Sequence, residues 1–172
     1  LLVVLDNGFT AAHDWRDRLR VATDAIESAA RDGRPVAVTA LAEPAAALES
    51  RVPAAALERL RAIAPRPHLA DRAAHLASLG AFLERSPNTA ILWISDGVAG
   101  PGEETFGKSF ADLVGRTGAS LTILKADQPP ALAISAAEAR GQLTAHVLRA
   151  APNGRDTGLV HALDQKCLPL AE

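Results

Sequence analysis

The sequence predicts an α/β fold with a mainly parallel sheet. Leu1–Leu5 is continuously apolar, the mark of a strand buried on both faces of such a sheet. Three further strand runs, Val36–Leu41, Thr89–Ser95 and Ser120–Lys125, alternate with segments whose apolar residues recur at helical spacing. Alternation of strand and helix along a chain implies right-handed crossovers within one sheet.

Each element has its own local cause. Asn7-Gly8 is a turn pair after the first strand. Trp15, Leu19, Ala22, Ile26 and Ala29 then line one face of a helix that Gly33 closes. Val36–Leu41 follows Pro35 as the second strand, and Ala46–Leu48 has room for a short edge strand. Pro53, at the first turn, starts a helix with Leu57, Leu60 and Ile63 inward, which Pro65-Arg66-Pro67 breaks. Asp71 caps the next helix, whose stripe is Leu76, Leu79 and Phe82/Leu83. Ser86-Pro87-Asn88 is a turn, and Thr89–Ser95 is the clearest strand in the chain. A Gly/Pro-rich loop runs from Gly97 to Gly102. Phe106, Phe110 and Leu113/Val114 mark a helix closed near Gly115 or Gly118, and Ser120–Lys125 reads as another buried strand.

The pattern changes after Asp127-Gln128-Pro129-Pro130. Gln142–Arg149, Leu159–Leu163 and Leu168–Leu170 read as strands with no helix between them. The chain is therefore expected to hold one domain over residues 1–128. A linker and β-rich segment over 129–172 would begin a second.

Composition excludes several classes. The 172 residues carry 18 basic and 20 acidic side chains, a net charge of -2 that offers no polyanion-binding bias. A single cysteine, Cys167, excludes a disulfide framework and a cysteine-based metal site. No apolar run approaches the roughly 20 residues of a membrane span. Alanine makes up roughly a fifth of the chain, which favours helix. Arg outnumbers Lys fifteen to three, read as genome composition bias. There is no Met, and the chain opens on a core strand, so it is expected to be a piece of a longer protein.

Ligands of a parallel α/β sheet sit at the carboxyl ends of the strands. Two strands end there in an acid, Asp6 and Asp96, and topology puts both on one edge. Two such carboxylates could bind a hard cation; each could equally cap a helix or fix a turn. Asp6-Asn7-Gly8-Phe9-Thr10 has the form Asp-x-Gly-x-Thr, and Ser95-Asp96-Gly97 ends the later strand. With the element order, these residues resemble the von Willebrand factor A (vWA) family over roughly Leu1 to Ala126. The resemblance implies a Rossmann-like three-layer sandwich. It also implies a metal-ion-dependent adhesion site built from an Asp-x-Ser-x-Ser motif, a Thr from a loop, and a distal Asp. Asp6, Thr10 and Asp96 match the first Asp, the last hydroxyl and the distal Asp. Gly8 stands where the first Ser belongs. Ala70 stands at the Thr position, with Asp71 continuing the match. Two of five side-chain ligands are thus missing, so the implied magnesium site is degenerate. Gly8, Ala70, Asp71 and Gly97 complete the expected binding edge.

The chain is more closely similar to a subgroup of bacterial membrane proteins. These join a membrane region like that of the Bat aerotolerance proteins to a vWA domain and a C-terminal domain of unknown function. His13-Asp14-Trp15, Pro65-Arg66-Pro67, Ile91–Gly97, Val147–Ala150 and Val160–Asp164 carry that likeness. It implies a parent protein anchored in the bacterial inner membrane, with this domain on the periplasmic side.

A rival resemblance is to haloacid-dehalogenase-type phosphohydrolases. Their Asp-x-Asp-x-Thr motif fits Asp6 as nucleophile and Thr10, but Gly8 replaces the general acid and Lys125 follows Asp96 instead of preceding it. His13, His68, His75, His146 and His161 show no metal-ligand spacing and read as surface or structural residues. Gly97–Gly102 lacks the Lys-Ser/Thr ending of a phosphate loop. Trp15 and Trp93 read as core. The expected function is a non-enzymatic protein-interaction module that needs no cofactor and binds no nucleic acid. Two alternatives stay open: an adhesion module with a working magnesium site, and the phosphohydrolase.

Overall fold

A computed structural model of the chain describes residues 1–98 and 102–125 and four later strands, 132–139, 142–149, 162–163 and 169–171. It divides into two compact units, Leu1–Asp127 and Gln128–Glu172.

In the first unit, β1 (Leu2–Leu5), β2 (Ala37–Ala40), β3 (Ala90–Ser95) and β4 (Ser120–Lys125) form one sheet in the order β2-β1-β3-β4. Every pairing is parallel. Leu5 lies opposite Ala40 on one side and Ile94 on the other, so the carboxyl ends of the three strands stand level. Four helices connect them: α1 (Trp15–Arg31), α2 (Pro53–Arg61), α3 (Leu76–Arg85) and α4 (Glu103–Thr117). The result is a mixed α/β fold with a central all-parallel four-stranded sheet flanked by helices.

The alternation of side chains along a strand explains the layering. Leu2 and Val4 of β1 enter a core shared with Leu79 and Leu83 of α3 and Phe106, Phe110 and Leu113 of α4. Val3 and Leu5 enter the opposite core, with Ala22, Ile26 and Ala29 of α1 and Ala56 and Leu60 of α2. All four β1 side chains are buried, and each large one contributes about 1.5–3 kcal/mol by leaving water. That two-sided burial is why Leu1–Leu5 shows no polar alternation. Trp93 meets Phe106 and Phe110 edge-on at 5.8 and 6.0 Å, which fixes β3 against α4.

Helix ends follow their glycines. The Gly118 N–H bonds to the Gly115 carbonyl and the Ala119 N–H to the Val114 carbonyl, with Gly118 at φ 65°. That is a Schellman closure, and it selects Gly118 over Gly115 as the end of α4.

Several local expectations are corrected. Ser120–Lys125 is an exposed strand, not a buried one, with Ile123 50% and Leu124 40% exposed. It pairs only with β3, and among the described residues no strand covers its outer edge. Ala46–Leu48 is not a strand; only the single antiparallel bridge Val36–Arg51 forms. Pro44 offers no N–H there, and the Leu48 carbonyl accepts from Arg85 Nη2 at 3.2 Å. Leu57 is half-buried while Ala56 takes the inward position on α2. Asp71 accepts from the Ala74 N–H at 3.2 Å, capping a 3-10 turn over Ala73–His75 that leads into α3. Asn7, in the expected turn pair after β1, also anchors that turn inside the fold. It is fully buried; its amide donates to the Ala64 carbonyl at 3.0 Å and accepts from the Ala42 N–H at 2.8 Å.

The second unit contains β5 (Leu132–Ala139) antiparallel to β6 (Gln142–Arg149), and β7 (Ala162–Leu163) antiparallel to β8 (Pro169–Ala171). β6 and β7 fall within the segments expected as strands, and β8 starts inside Leu168–Leu170 and ends one residue beyond it. β5 falls where a linker was expected, because its alanine-rich sequence has little strand propensity and only pairing with β6 defines it. Cys167 and His161 lie outside the described residues.

Two alanine substitutions test the α4 closure. Gly115→Ala, inside the helix and facing open space, is expected to stabilise by about 0.5–1 kcal/mol. Gly118→Ala, at positive φ with Asn88 Oδ1 2.8 Å from the new methyl, is expected to destabilise by about 1–2 kcal/mol. Urea denaturation of the two variants checks the opposite signs.

Candidate functional site

The parallel ladder itself assembles the edge. The Asp6 N–H donates to the Ile94 carbonyl at 3.0 Å, and the Asp96 N–H donates to Asp6 Oδ2 at 3.1 Å. The two carboxylates predicted to share an edge are therefore adjacent. Thr10 sits in a 3-10 turn over Phe9–Ala11, and its hydroxyl donates to Asp96 Oδ2. Asp6, Thr10 and Asp96 are thus joined by hydrogen bonds at this edge.

The centre of this group holds a residue the sequence did not single out. Arg72 reaches in from the turn before α3, and its side chain is 8% exposed. Its Nε donates to Asp6 Oδ1 at 3.1 Å and its Nη2 to Asp6 Oδ2 at 2.8 Å, a bidentate pair. Nη2 also reaches Asp96 Oδ1 at 2.8 Å. Nη1 donates to the Val98 carbonyl at 2.9 Å and to the Glu103 carboxylate. These contacts match the five N–H donors of a guanidinium, so Arg72 is saturated. The guanidinium also lies 5.4 Å from the centre of the Trp93 ring. Trp93 Nε1 donates to Asp6 Oδ2 at 3.3 Å, so this core residue belongs to the site as well.

The remaining expected residues divide. Gly8 lies directly under the loop that carries Arg72: a Cβ on it would stand 2.8 Å from the His68 carbonyl oxygen. The Phe9 N–H donates to that same oxygen at 3.3 Å. Gly8 is thus a packing requirement of the crossing loop. Ala70 is half-buried against the α3/α4 core and offers no ligand atom. Asp71 is exposed and spent on its turn, outside the carboxylate group. Gly97 follows Asp96 at φ 72°, and its N–H donates to Ser95 Oγ at 3.1 Å. Arg72 and Glu103 were missed because their roles depend on a crossing of distant loops; neither stands at a spacing that marks it. Of the histidines, His75 is buried in the fold, its Nε2–H donating to the Glu43 carbonyl at 3.0 Å.

Charge at the site is lopsided. Three carboxylates surround one guanidinium, though Glu103 is 29% exposed and sits in the first turn of α4, where the helix dipole favours an acid. Burial pushes the Asp6 pKa above the ordinary carboxylate range, against the downward pull of the Arg72 hydrogen bonds. Burial by itself would lower the Arg72 pKa, but Asp6 foremost, then Glu103 and Asp96, raise it.

The residues present do not fit a resident divalent cation. The place between Asp6 and Asp96 is taken by a tethered positive charge. Both Asp6 oxygens and both Asp96 oxygens are already hydrogen-bonded. Among the described residues, no group of three or more His, Cys, Asp or Glu side chains is arranged to hold a metal ion. Asp6 is fully buried, and its Oδ1 accepts from Arg72 Nε. A separate cleft of about 330 Å3 borders β2; its charged lining residues Glu43 and Arg59, and Glu49 and Arg51, are paired with one another.

Two predictions follow from this geometry. Gly8→Ser, which supplies the hydroxyl that the motif resemblance expects at this position, is expected to destabilise by about 1–3 kcal/mol through its clash with the His68 carbonyl. Denaturation in urea, with and without magnesium, should show that loss and no recovery by the ion. The second concerns pH. A carboxyl whose pKa is raised by folding contributes stability that is full below its unfolded pKa and lost as pH rises through the folded value. Asp6→Asn removes that titration, so the variant's melting temperature should fall less steeply than the wild type's as pH rises from the ordinary carboxylate range. Equal slopes would disprove the raised pKa.

No protein-family model matches the chain, and no curated protein matches it. Among solved structures, it is similar to a von Willebrand factor type A from Catenulispora acidiphila, at 18% identity and a TM-score of 0.44. The match covers 72% of this chain and 32% of that one, so this chain spans about a third of that structure's length.

Proposed function

We propose that this chain is a non-enzymatic protein-interaction module of a membrane-anchored bacterial protein, using the carboxyl edge of its sheet as the contact surface. The observation that carries this reading is the pairing of a closed polar centre with an open apolar rim. Asp6, Asp96 and Arg72 satisfy one another, which leaves no free acid, base or nucleophile among them. Beside them Phe9 is 54% and Leu69 41% exposed. The two come from loops in direct contact, since the Phe9 N–H bonds to the carbonyl next to Leu69. Exposed aromatic and aliphatic side chains suit binding of another protein.

The domain is assigned to the periplasmic side of the inner membrane on its likeness to the Bat-like subgroup. That likeness also supports a parent protein longer than this chain.

A photo-crosslinking amino acid at position 9 or 69 of the parent protein, in its native membrane, tests the reading. A discrete protein adduct is expected at both positions. The position-69 adduct should disappear with Phe9→Ser and the position-9 adduct with Leu69→Ser, and both should persist in EDTA. An adduct lost in EDTA and restored by magnesium would favour the metal-dependent adhesion module. Phosphatase activity abolished by Asp6→Asn would favour the phosphohydrolase.

A further inference from the structure

We infer that Arg72 is the site's built-in cation: its guanidinium takes the place between Asp6 and Asp96 that a divalent ion would otherwise hold. The charge state of this edge then does not depend on the metal in solution. The inference concerns the edge used in the proposed function, but it needs no protein partner. Failure of the crosslinking experiment would leave it standing, and the reverse also holds.

Three observations carry it. First, the guanidinium bridges the two acids, with both oxygens of Asp6 and one of Asp96 accepting from it. Second, the rest of the edge is built for a positive centre. Thr10 orients the other Asp96 oxygen, and Trp93 turns its ring face toward Arg72 while its Nε1 orients Asp6. The Glu103 carboxylate and the Val98 carbonyl add further negative charge on the far side. Third, the chain delivers Arg72 by the loop that excludes a side chain at position 8. The absence of a side chain at position 8 and the placing of the guanidinium thus depend on the same loop crossing. Removing the cation would leave a buried acid pair uncompensated, which is strongly destabilising.

Removing the tether should expose the underlying preference. In Arg72→Ala, Asp6, Asp96 and the Thr10 hydroxyl would face an empty point. Two carboxylates suffice for magnesium or manganese, which keep most of their waters. The experiment compares wild type, Arg72→Ala and Arg72→Lys by thermal melting and by manganese electron paramagnetic resonance. Wild type is expected to bind no manganese at this edge and to melt at the same temperature in manganese and in EDTA. Arg72→Ala is expected to melt lower in EDTA. It should regain part of the loss in manganese or in methylguanidinium, and bind one manganese ion that the added Asp96→Asn change removes. Arg72→Lys, which keeps the charge but loses the bidentate fork, should fold, melt between the other two and take no manganese.

Any of three results would overturn the inference. One is Asp6-dependent manganese binding by wild type. Another is Arg72→Ala as stable as wild type in EDTA. The last is Arg72→Ala that gains nothing from manganese or methylguanidinium, whether folded or unfolded, while Arg72→Lys folds. A purely structural arginine would produce that last result, because no free cation would then restore what the side chain did.

Discussion

Two ionised carboxylates buried side by side at the end of a parallel sheet need a compensating positive charge. Asp6 is fully buried and the Asp96 side chain is 2% exposed, so water cannot do the screening. In this chain an arginine from a crossing loop supplies the charge. The rest of the edge is arranged around that fact. Asn7 ties β1 to the loops at Ala42 and Ala64. The Arg66 N–H donates to the Asn7 carbonyl at 2.7 Å and the His68 carbonyl accepts from Phe9. These bonds hold residues 66–72 across the end of β1 and aim Arg72 at the carboxylates.

The ion cluster also links the layers of the fold. Arg72 joins the turn before α3 to the ends of β1 and β3 and to the first turn of α4. Its contact with Trp93 continues into the aromatic packing of β3 against α4. A buried ion pair of this kind returns little net stability, because desolvation offsets its Coulomb attraction. Removing one partner costs far more than the pair returns, because it leaves a buried charge uncompensated. The closed centre and the exposed Phe9–Leu69 rim are two consequences of the same crossing.

Much of the fold was legible in the sequence. Unbroken apolar runs signal strands buried on both faces, and the three-four spacing of Trp15 to Ala29 signals a helix over one such face. Both depend on local periodicity, so they can be read without knowing what packs opposite. β4 was misread for the complementary reason. Its composition matches a buried strand, but exposure is decided by whether another element covers it. At the site, Asp6, Thr10 and Asp96 were legible because the motif that contains them is short and the strand topology is simple. Arg72 was invisible because it is one of fifteen arginines. Nothing near it in the chain distinguishes it from those that pair on the surface, such as Arg61 with Glu58 or Arg116 with Glu84.

By itself the sequence determined the alternation of strand and helix, the parallel sheet and the placing of two acids at its carboxyl edge. These follow from local pattern and from the handedness of crossover connections. Only the tertiary structure decided what lies between the acids. Asp6 and Arg72 stand 66 positions apart, with α1, β2, α2 and a proline-bracketed loop between them, and only their packing brings the guanidinium to the carboxylates. A cation carried by the chain and a cation taken from solution leave the same two aspartates in the sequence. What separates them is a contact at 2.8 Å between residues far apart along the chain.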